Sequence, residues 1–443
     1  MSLFTAGNGS VVLDSQNLRG GRSLEIDNFF DFIEKSPTAF HAVRTIQEEL
    51  EGDGFTELFE QEKWSIECGG KYFVKRNGSS LISFILPEKE VYGIHMAASH
   101  TDSPAFKIKP SPEITTEDMY VKLNTEKYGG MILSTWLDRP LSVAGRVFFE
   151  QEDGTIGSSL VNIDRDLLVI PNLAVHMNRE INQGYAYNPQ IDMMPVFTDG
   201  KGSSLRAAVA KELGIEQDKI LSEELFVYVR QRGCTIGEEG QWILAPRLDD
   251  LQCAYAAMAG LLRAKPVDYI ALSAFFDNEE VGSSTKQGAD SDFLKQVIER
   301  IGEAVFSDTE EREQLLRRSF LISADNAHAL HPNHPEKADL TNRPKLNGGI
   351  VIKYHGGQKY TTDGYSSAYI IQLCKNAGIG YQAYCNRSDI AGGSTLGNIA
   401  TSHVSVSSAD IGFAQLAMHS AVETAGKEDV WQGIRLFEQF WSQ

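Results

Sequence analysis

Apolar strand-like runs alternate with amphipathic helices at both ends of this sequence, but not in its middle. The middle consists of short β-rich pieces separated by Gly, Asn and Asp turns, with one helix near 203–213. An α/β alternation that is interrupted in this way predicts a sheet-with-helices domain that carries an insertion. We therefore expect an αβα sandwich domain formed by residues 1–106 and 242–443, with a β-rich domain inserted at 107–241.

Hydrophobic periodicity and turn residues predict the individual elements of the outer segments. The second of the two helices expected within 24–52 follows a break at Ser36-Pro37-Thr38 and would be capped by Ser36 or Thr38. The other expected elements are a hairpin at 71–87, strands at 91–102, 268–276 and 318–324, and helices at 249–263, 291–304 and 364–376.

Composition excludes several classes of function. A formal net charge of −19 without an offsetting Lys/Arg cluster disfavours binding to nucleic acid or to anionic membranes. No run of 18 apolar residues occurs, and the start MSLFTAGNGS lacks the features of a secretion signal. The five cysteines are odd in number and form no CxxC, which indicates the reducing cytoplasm and excludes a cysteine zinc site of the usual spacing.

Three carboxylates follow a mostly apolar stretch of the sequence. The run Tyr269–Phe275 reads as a buried strand, and Asp277, Glu279 and Glu280 come within five positions of its end. Carboxylates are rarely buried unless a positive group pairs with them or they bind a metal. This stretch therefore requires a compensating positive charge.

Further acids and histidines occupy comparable positions, at strand ends, at a helix start and in an apolar segment: His100 and Asp102, Asp249 and Asp250, Asp325, and His419. In open α/β sheets, ligands bind beyond the carboxyl ends of the strands. Two histidines and three carboxylates can hold two divalent cations if one carboxylate bridges them, and such a pair activates water and polarises a carbonyl. In Glu279-Glu280, one carboxylate can then ligate while its neighbour acts as a base. Asp102 could accept the second imidazole N–H of His100.

Each of these residues also has an ordinary explanation. Asp249 alone would be a helix cap, the Glu279-Glu280 pair a solvated surface and His419 a core histidine. His95 is expected inside a strand, and the remaining candidates, His328, His331 and His334, in a loop. No HExxH, GxSxG, P-loop or GxGxxG motif occurs, and Gly392–Thr395 could form a backbone nest near the site.

Seven motifs in order resemble the aspartyl aminopeptidase family of dinuclear zinc metalloaminopeptidases, from about residue 27 to the C-terminus. They are SPTAFHAV (36–43), SHTDSP (99–104), STWLDRPLSVAGRV (134–147), RLDDL (247–251), DNEEVGS (277–283), SADNAHALHPN (323–333) and QLAMHS (415–420). The resemblance implies a zinc-peptidase-like αβα sandwich with an inserted β-rich dimerisation domain that also completes the active site.

The resemblance also implies roles for the residues collected above. Glu279 matches the general base and Asp102 the orienting residue. Two divalent metal ions per subunit are implied, namely zinc, with cobalt or manganese as alternatives. The residues that match the metal ligands are His100, Asp249 as the bridge, Glu280, Asp325 and His419.

Family members assemble as tetrahedral homododecamers that admit short peptides with a free N-terminus, so the resemblance implies a cytoplasmic homo-oligomer. The segment PNLAVHMNREIN (171–182) resembles a family segment whose histidine reaches a neighbouring subunit's active site. The matching residue is His176, which the sequence alone would place on the surface.

Substrate preference is where this sequence departs from the family pattern. VIKYHGGQKYTTDG (351–364) supplies Lys353 and Tyr360, which match the pair that selects N-terminal Asp or Glu, but the residues after Tyr360 differ. Asn326 replaces a usual hydrophobic residue. Lys353 would favour an acidic substrate through a charge-assisted hydrogen bond, or it could be an exposed strand-edge lysine.

The alternatives to a preference for Asp or Glu are therefore a broad or neutral-residue aminopeptidase, a two-metal N-acyl amidohydrolase and a catalytically silent peptide-binding shell.

Overall fold

A computed structural model describes residues 15–200, 202 and 204–443 of the protein. The ten N-terminal residues, for which no secretion signal is expected, lie outside the described residues. Among the helices of the described part, none combines the length and the apolar character that crossing a membrane requires.

The α-helices of the described residues are distributed over both outer segments, with one in the middle. They are α1 Ser15–Lys35, α2 Ala39–Gly52, α3 Leu205–Leu213, α4 Leu248–Arg263, α5 Phe293–Val305, α6 Thr309–Arg317, α7 Gly364–Ala377, α8 Leu396–His403 and α9 Lys427–Trp441.

The strands of the described residues form three sheets. They are β1 Thr56–Leu58, β2 Lys71–Arg76, β3 Ser80–Ile85, β4 Gly93–His100, β5 Ala105–Thr116, β6 Tyr120–Tyr128, β7 Leu141–Glu150, β8 Ile156–Asn162, β9 Val196–Thr198, β10 Ile220–Val229, β11 Cys234–Ile236, β12 Trp242–Ala245, β13 Tyr269–Phe276, β14 Phe320–Ala324, β15 Ala327–His328, β16 Ile350–Tyr354, β17 Tyr381–Cys385, β18 Ser407–Gly412, β19 Ala414–Leu416 and β20 Glu423–Gly426.

The largest sheet has the strand order β1-β2-β3-β13-β4-β14-β18-β16-β17. Its central neighbours β13, β4, β14 and β18 run parallel. Successive residues of β4 face opposite sides: Met96 packs in the core with α5, and Ala97 packs in the core with α4 and α9. Burial on both faces explains why these strands read as continuous apolar runs. The fold is therefore the αβα sandwich that the sequence predicts.

A second, six-stranded sheet has the order β8-β7-β10-β5-β6-β9 and is built from strands of the middle segment. Its pairings are antiparallel, and helix α3 packs into its separate core through Leu205 and Val209. The strands lie between Ala105 and Val229, while the domain boundaries at 107 and 241 stay a prediction.

A third sheet, of order β11-β12-β20-β19-β15, joins distant parts of the chain. Strands β19 and β20 pair antiparallel, so residues 417–422 form the turn of a hairpin. The positive φ of 66° at His419 lies in this turn. The hairpin therefore presents a histidine that the sequence places only in an apolar segment.

The structure confirms the elements predicted from periodicity, with boundaries that differ by a few residues. Helix α1 begins earlier than expected, at Ser15. Thr38 holds the N-cap position of α2, but its hydroxyl contacts His41 Nδ1 at 2.8 Å and caps no backbone N–H. His95 lies inside β4 as expected, whereas His328 was expected in a loop and lies in the short strand β15. That expectation was wrong because a two-residue strand has no periodicity to detect.

Candidate metal centre

Three neighbouring parallel strands end at the same edge of the largest sheet, and each delivers a predicted site residue there. Strand β4 ends at His100, β13 leads into a turn that contains Glu279 and Glu280, and β14 is followed directly by Asp325. Because β4 lies between β13 and β14, these side chains converge beyond its carboxyl end.

The remaining predicted ligands come from two other elements. Asp249 lies in the first turn of α4, and His419 lies in the β19–β20 turn. The two oxygens of Asp249 face different histidines: Oδ1 lies 3.5 Å from His100 Nε2 and Oδ2 lies 3.4 Å from His419 Nε2. His419 Nε2 also lies 3.4 Å from Glu280 Oε1. Asp249 thus lies between His100 and His419.

Ligand atoms of these residues lie within 4.8 Å of one another in three overlapping groups. The groups are His100, Asp249, Asp250 and Asp325; Asp249, Glu280 and His419; and His100, Glu279 and Glu280. Nitrogen from His and oxygen from Asp or Glu are donors that zinc takes. The donor set therefore fits one or more divalent cations.

Unpartnered buried oxygens provide an independent test of this fit. Within the described residues, Asp249 Oδ1, Asp250 Oδ1 and Glu280 Oε1 are buried without a hydrogen-bond partner. Orphaned carboxylate oxygens are costly in a folded protein. Oxygens left open at the point where the imidazoles converge are those that a cation would engage, so the residues fit a metal.

The electrostatics of the cluster reflect an excess of buried negative charge. Burial, reinforced by the neighbouring Asp249, raises the pKa of Glu280 well above its usual range. Burial likewise raises the pKa of Glu279 to about 7. Burial acts to raise the pKa of Asp249 too, but His100 and His419 outweigh it and hold this pKa below its ordinary range. Bound cations would offset this negative charge and would favour the ionised form of these carboxylates.

Asp102 connects His100 to the two glutamates. Its backbone carbonyl lies 3.1 Å from His100 Nδ1, and its carboxylate lies 3.4 Å from the same nitrogen. The carboxylate also accepts the backbone N–H of Glu279 and of Glu280, each at 3.1 Å. Asp102 therefore contacts both the imidazole that it was expected to orient and the backbone of the adjacent acids.

Lys353 lies in β16, between β18 and the edge strand β17, and is 3% exposed. The alternative of an exposed strand-edge lysine was therefore wrong. Its ammonium lies 3.7 Å from Asp325 Oδ1 and 5.5 Å from the centre of the Tyr360 ring. Burial lowers the pKa of Lys353, but Asp325 and Tyr360 outweigh it and the net shift is upward, so the side chain stays charged.

A cavity of about 590 Å³ opens near this part of the sheet, and its lining includes His328, Tyr384, Gly392 and Gly393. The Gly-rich segment expected near the site thus forms part of a cavity wall.

His176 is not gathered with the other predicted residues. It lies exposed on the inserted segment, close in sequence to the exposed apolar side chains of Leu173, Val175 and Met177. Within this chain the exposed position agrees with the surface location expected from the sequence alone.

Sequence reasoning missed two residues that contact the centre. Glu423 is buried and accepts the backbone N–H of Asp249 at 3.0 Å and that of His419 at 2.7 Å. Tyr128 donates its hydroxyl to Asp102 at 2.7 Å. A single glutamate in the apolar run AVETAG was a usable signal for Glu423, whereas nothing in the local sequence marks Tyr128.

Comparison with known proteins adds findings of three kinds: a family model, a relative in sequence and solved structures of similar fold. A family model described as aminopeptidase I zinc metalloprotease (M18) matches residues 32–441. A probable M18 family aminopeptidase 2 of Clostridium novyi (strain NT) is 47% identical over 424 residues, which cover 94% of this chain and 98% of that protein.

Among solved structures, a chain of the Ape4 and Nbr1 complex superposes with a TM-score of 0.92 at 33% identity, covering 97% of this chain and 87% of that chain. The S. cerevisiae mApe1 dodecamer superposes with a TM-score of 0.83 at 29% identity, covering 95% and 97%.

Proposed function

The chain belongs to the M18 family of zinc metalloprotease aminopeptidases, and on that premise we propose that it removes N-terminal residues, preferably Asp or Glu, from short peptides through a two-metal centre. The single observation that carries the two-metal part is the position of Asp249. Its two carboxylate oxygens face His100 and His419 separately, as a bridging ligand requires.

We take two ligand sets that share Asp249 from the three overlapping groups of the cluster. His100 and Asp325 would complete one set, and Glu280 and His419 the other. The donors suit zinc, and cobalt or manganese are alternatives that the same nitrogen and oxygen ligands accept. When bound, such a pair supplies Lewis-acid chemistry that polarises the scissile carbonyl and lowers the pKa of water.

Glu279 is proposed as the general base that takes a proton from the attacking water and returns it to the leaving amine. A carboxylate oxygen of Glu279 lies within 4.8 Å of ligand atoms of His100 and Glu280, which is near enough for it to reach a water at the proposed centre. The Asp102 carboxylate accepts the backbone N–H of Glu279 at 3.1 Å and thereby fixes the backbone position from which the Glu279 side chain extends.

The preference for acidic residues rests on Lys353 and Tyr360. A buried ammonium that stays charged is a local positive centre in a protein of net charge −19, and it would donate a charge-assisted hydrogen bond to a substrate carboxylate. Tyr360 is buried beside it. The same ammonium lies 3.7 Å from Asp325 Oδ1, so Lys353 also pairs with the carboxylate of a proposed metal ligand.

The oligomer and the compartment are further parts of the proposal. The exposed apolar side chains Leu173, Val175 and Met177 near His176 favour burial against another subunit. The similar mApe1 structure is a dodecamer, and we propose a tetrahedral homododecamer in which His176 reaches a neighbouring site. A cytoplasmic location rests on the five cysteines, all of which are free.

Hydrolysis of a substrate panel tests the proposed function. Aminoacyl-nitroanilides of Asp, Glu, Leu and Met, dipeptides and N-acyl amino acids would be offered to zinc-loaded wild type and to Lys353→Met, which keeps chain length and removes the charge. We expect rapid turnover of Asp and Glu substrates, and a fall of about 10- to 100-fold in kcat/KM for these alone in the variant.

The other outcomes of the panel are distinct. A preference for Leu or Met that is indifferent to Lys353 would keep an aminopeptidase and discard the acidic preference. Turnover of N-acyl substrates would favour an amidohydrolase. Loss of all activities together with metal would mean that Lys353 supports Asp325 instead of selecting substrate.

A further inference from the structure

The end of β6 brings a side chain of the six-stranded sheet to the edge of the candidate metal centre. Tyr128 is the last residue of β6, and its hydroxyl donates to Asp102 Oδ2 at 2.7 Å. The hydroxyl oxygen of Tyr128 accepts a hydrogen bond of 2.8 Å from Asn278 Nδ2. The hydroxyl is therefore held by one acceptor and one donor, which follow the ends of β4 and β13.

The orientation of Asn278 fixes the direction of this pair of hydrogen bonds. Its side-chain oxygen accepts from Thr285 Oγ1 and from Gln287 Nε2, each at 2.8 Å. The amide nitrogen must therefore face Tyr128, so the phenolic proton is directed to Asp102. The result is a continuous chain of donors that ends on the Asp102 carboxylate.

Asp102 is 3% exposed and transmits the position of Tyr128 to the two glutamates. Oδ1 accepts the N–H of Glu279, and Oδ2 accepts both the N–H of Glu280 and the Tyr128 hydroxyl. Rotation of the carboxylate would displace both backbone bonds at once. The tyrosine hydroxyl opposes that rotation.

Backbone contacts of the same turn reinforce this arrangement. Gly129 has a φ of 77°, and a Cβ on it would lie 3.1 Å from Glu280 Cβ. Ile132 donates its N–H to the His419 carbonyl at 3.0 Å. Thr135 Oγ1 accepts the N–H of Ala421 at 2.9 Å. The segment Tyr128–Thr135 thus lies against both the glutamate turn and the histidine turn.

We propose that Tyr128 is a positioning residue, whose hydroxyl sets the Asp102 carboxylate and through it the placement of Glu279 and Glu280. The inference rests on the proposed roles of those three acids. The Tyr128 hydroxyl bonds Asp102 and Asn278, and neither is a proposed ligand or the base. Loss of the hydroxyl should therefore change the geometry of the site more than its metal content. A displacement of the base by a fraction of an ångström lowers turnover strongly while it leaves substrate binding nearly unchanged.

The test compares Tyr128→Phe with Tyr120→Phe. Tyr120 is the first residue of the same strand β6 and is exposed, whereas Tyr128 is the last residue of that strand. For each variant, kcat, KM, bound metal, the unfolding midpoint and the visible spectrum of the cobalt-substituted protein would be measured. In Tyr128→Phe we expect kcat to fall about 10- to 100-fold, KM to stay within about twofold and the cobalt spectrum to change at full metal content. Tyr120→Phe should match wild type in all five.

Three results would overturn the inference: a kcat equal to wild type, a change in KM alone, or a fall in kcat that tracks lost metal or lost folding. If Tyr128→Phe does not fold, Tyr128→Leu and Tyr128→Met remove the same hydroxyl with smaller side chains. A wild-type kcat and cobalt spectrum in either folded variant would equally overturn the inference.

Glu279→Gln separates this inference from the proposed function. If that variant is inactive while Tyr128→Phe is fully active, only the role of Tyr128 fails. If Glu279→Gln is active, the proposed base is wrong.

Discussion

The Glu423 carboxylate accepts the backbone N–H of His419 at 2.7 Å. It also accepts the N–H of Asp249 at 3.0 Å, so one buried acid positions the two residues proposed to share a metal. We expect Glu423→Ala to lower metal affinity about 10- to 100-fold, because groups that orient ligands commonly contribute that much. Competition with a chelator measures it. An affinity equal to wild type would show that the two backbone positions hold without Glu423.

Glu279→Gln and Glu280→Gln should separate the base from the ligand. Glu279→Gln is expected to retain metal and to lose turnover by about 100-fold or more, because the amide cannot accept the proton from water. Glu280→Gln is expected to lose both turnover and part of the metal. Metal analysis beside kcat decides the assignment, and metal loss in Glu279→Gln with retention in Glu280→Gln would reverse it.

Coexpression of two inactive variants tests the role of His176. If its imidazole acts in a neighbouring subunit, mixed oligomers of His176→Ala and Glu279→Gln contain sites with an intact base and an intact neighbour's histidine. Random mixing in equal amounts should then restore about a quarter of wild-type activity. Each variant alone serves as the control. Mixed oligomers as inactive as the single variants would mean that His176 does not act across subunits.

His95 predicts a pH dependence of stability away from the metal centre. Its ring stacks on Tyr269 and Phe440, with centroid distances of 3.8 and 4.5 Å, and it is 3% exposed. Burial lowers the pKa of His95 to about 4, although its hydrogen bond to the Phe440 carbonyl acts in the opposite direction. The unfolded chain therefore binds a proton below about pH 6.5, whereas the folded protein does not until about pH 4.

The contribution of neutral His95 is fully present above pH 6.5 and is lost as the pH falls toward 4. Over that window it amounts to about 3 kcal/mol of unfolding free energy. Denaturant unfolding of wild type and His95→Gln from pH 4 to 7 measures it, with the exposed His334→Gln as control. The gap between wild type and His95→Gln should narrow as the pH falls, and a constant gap would contradict the expectation.

The strand-end residues of the centre were predictable because they depend on a general property of parallel sheets. His100, Glu279 and Asp325 each follow an apolar run, and neighbouring parallel strands end at one edge. Asp249 and His419 needed the resemblance to a family, since a helix start and an apolar segment are ordinary places for such residues. The order of the strands, which makes β4 the centre of the group, was not readable from local periodicity.

The contact of Tyr128 was out of reach, and the role of Glu423 was missed despite its signal in the sequence, for a different reason. Tyr128 bonds Asn278, which lies 150 positions further along the chain, and such pairings leave no periodic signal. Glu423 depends on a turn in which His419 has a φ of 66°, a conformation that propensity does not predict. Lys353 is buried because β17, and not β16, forms the edge of the sheet. Only the order of the strands reveals this.

The wide separation of the clustered residues along the chain bears on how the protein is made. Synthesis proceeds from the N-terminus, and domains generally fold as they emerge. A partly synthesised chain that ends before β19 has His100, Asp249 and Asp325 but neither the hairpin turn with His419 nor Glu423. A growing chain therefore lacks His419 and Glu423 until β19 and β20 have been made, which would keep a peptide-cleaving protein inactive up to that point of its translation.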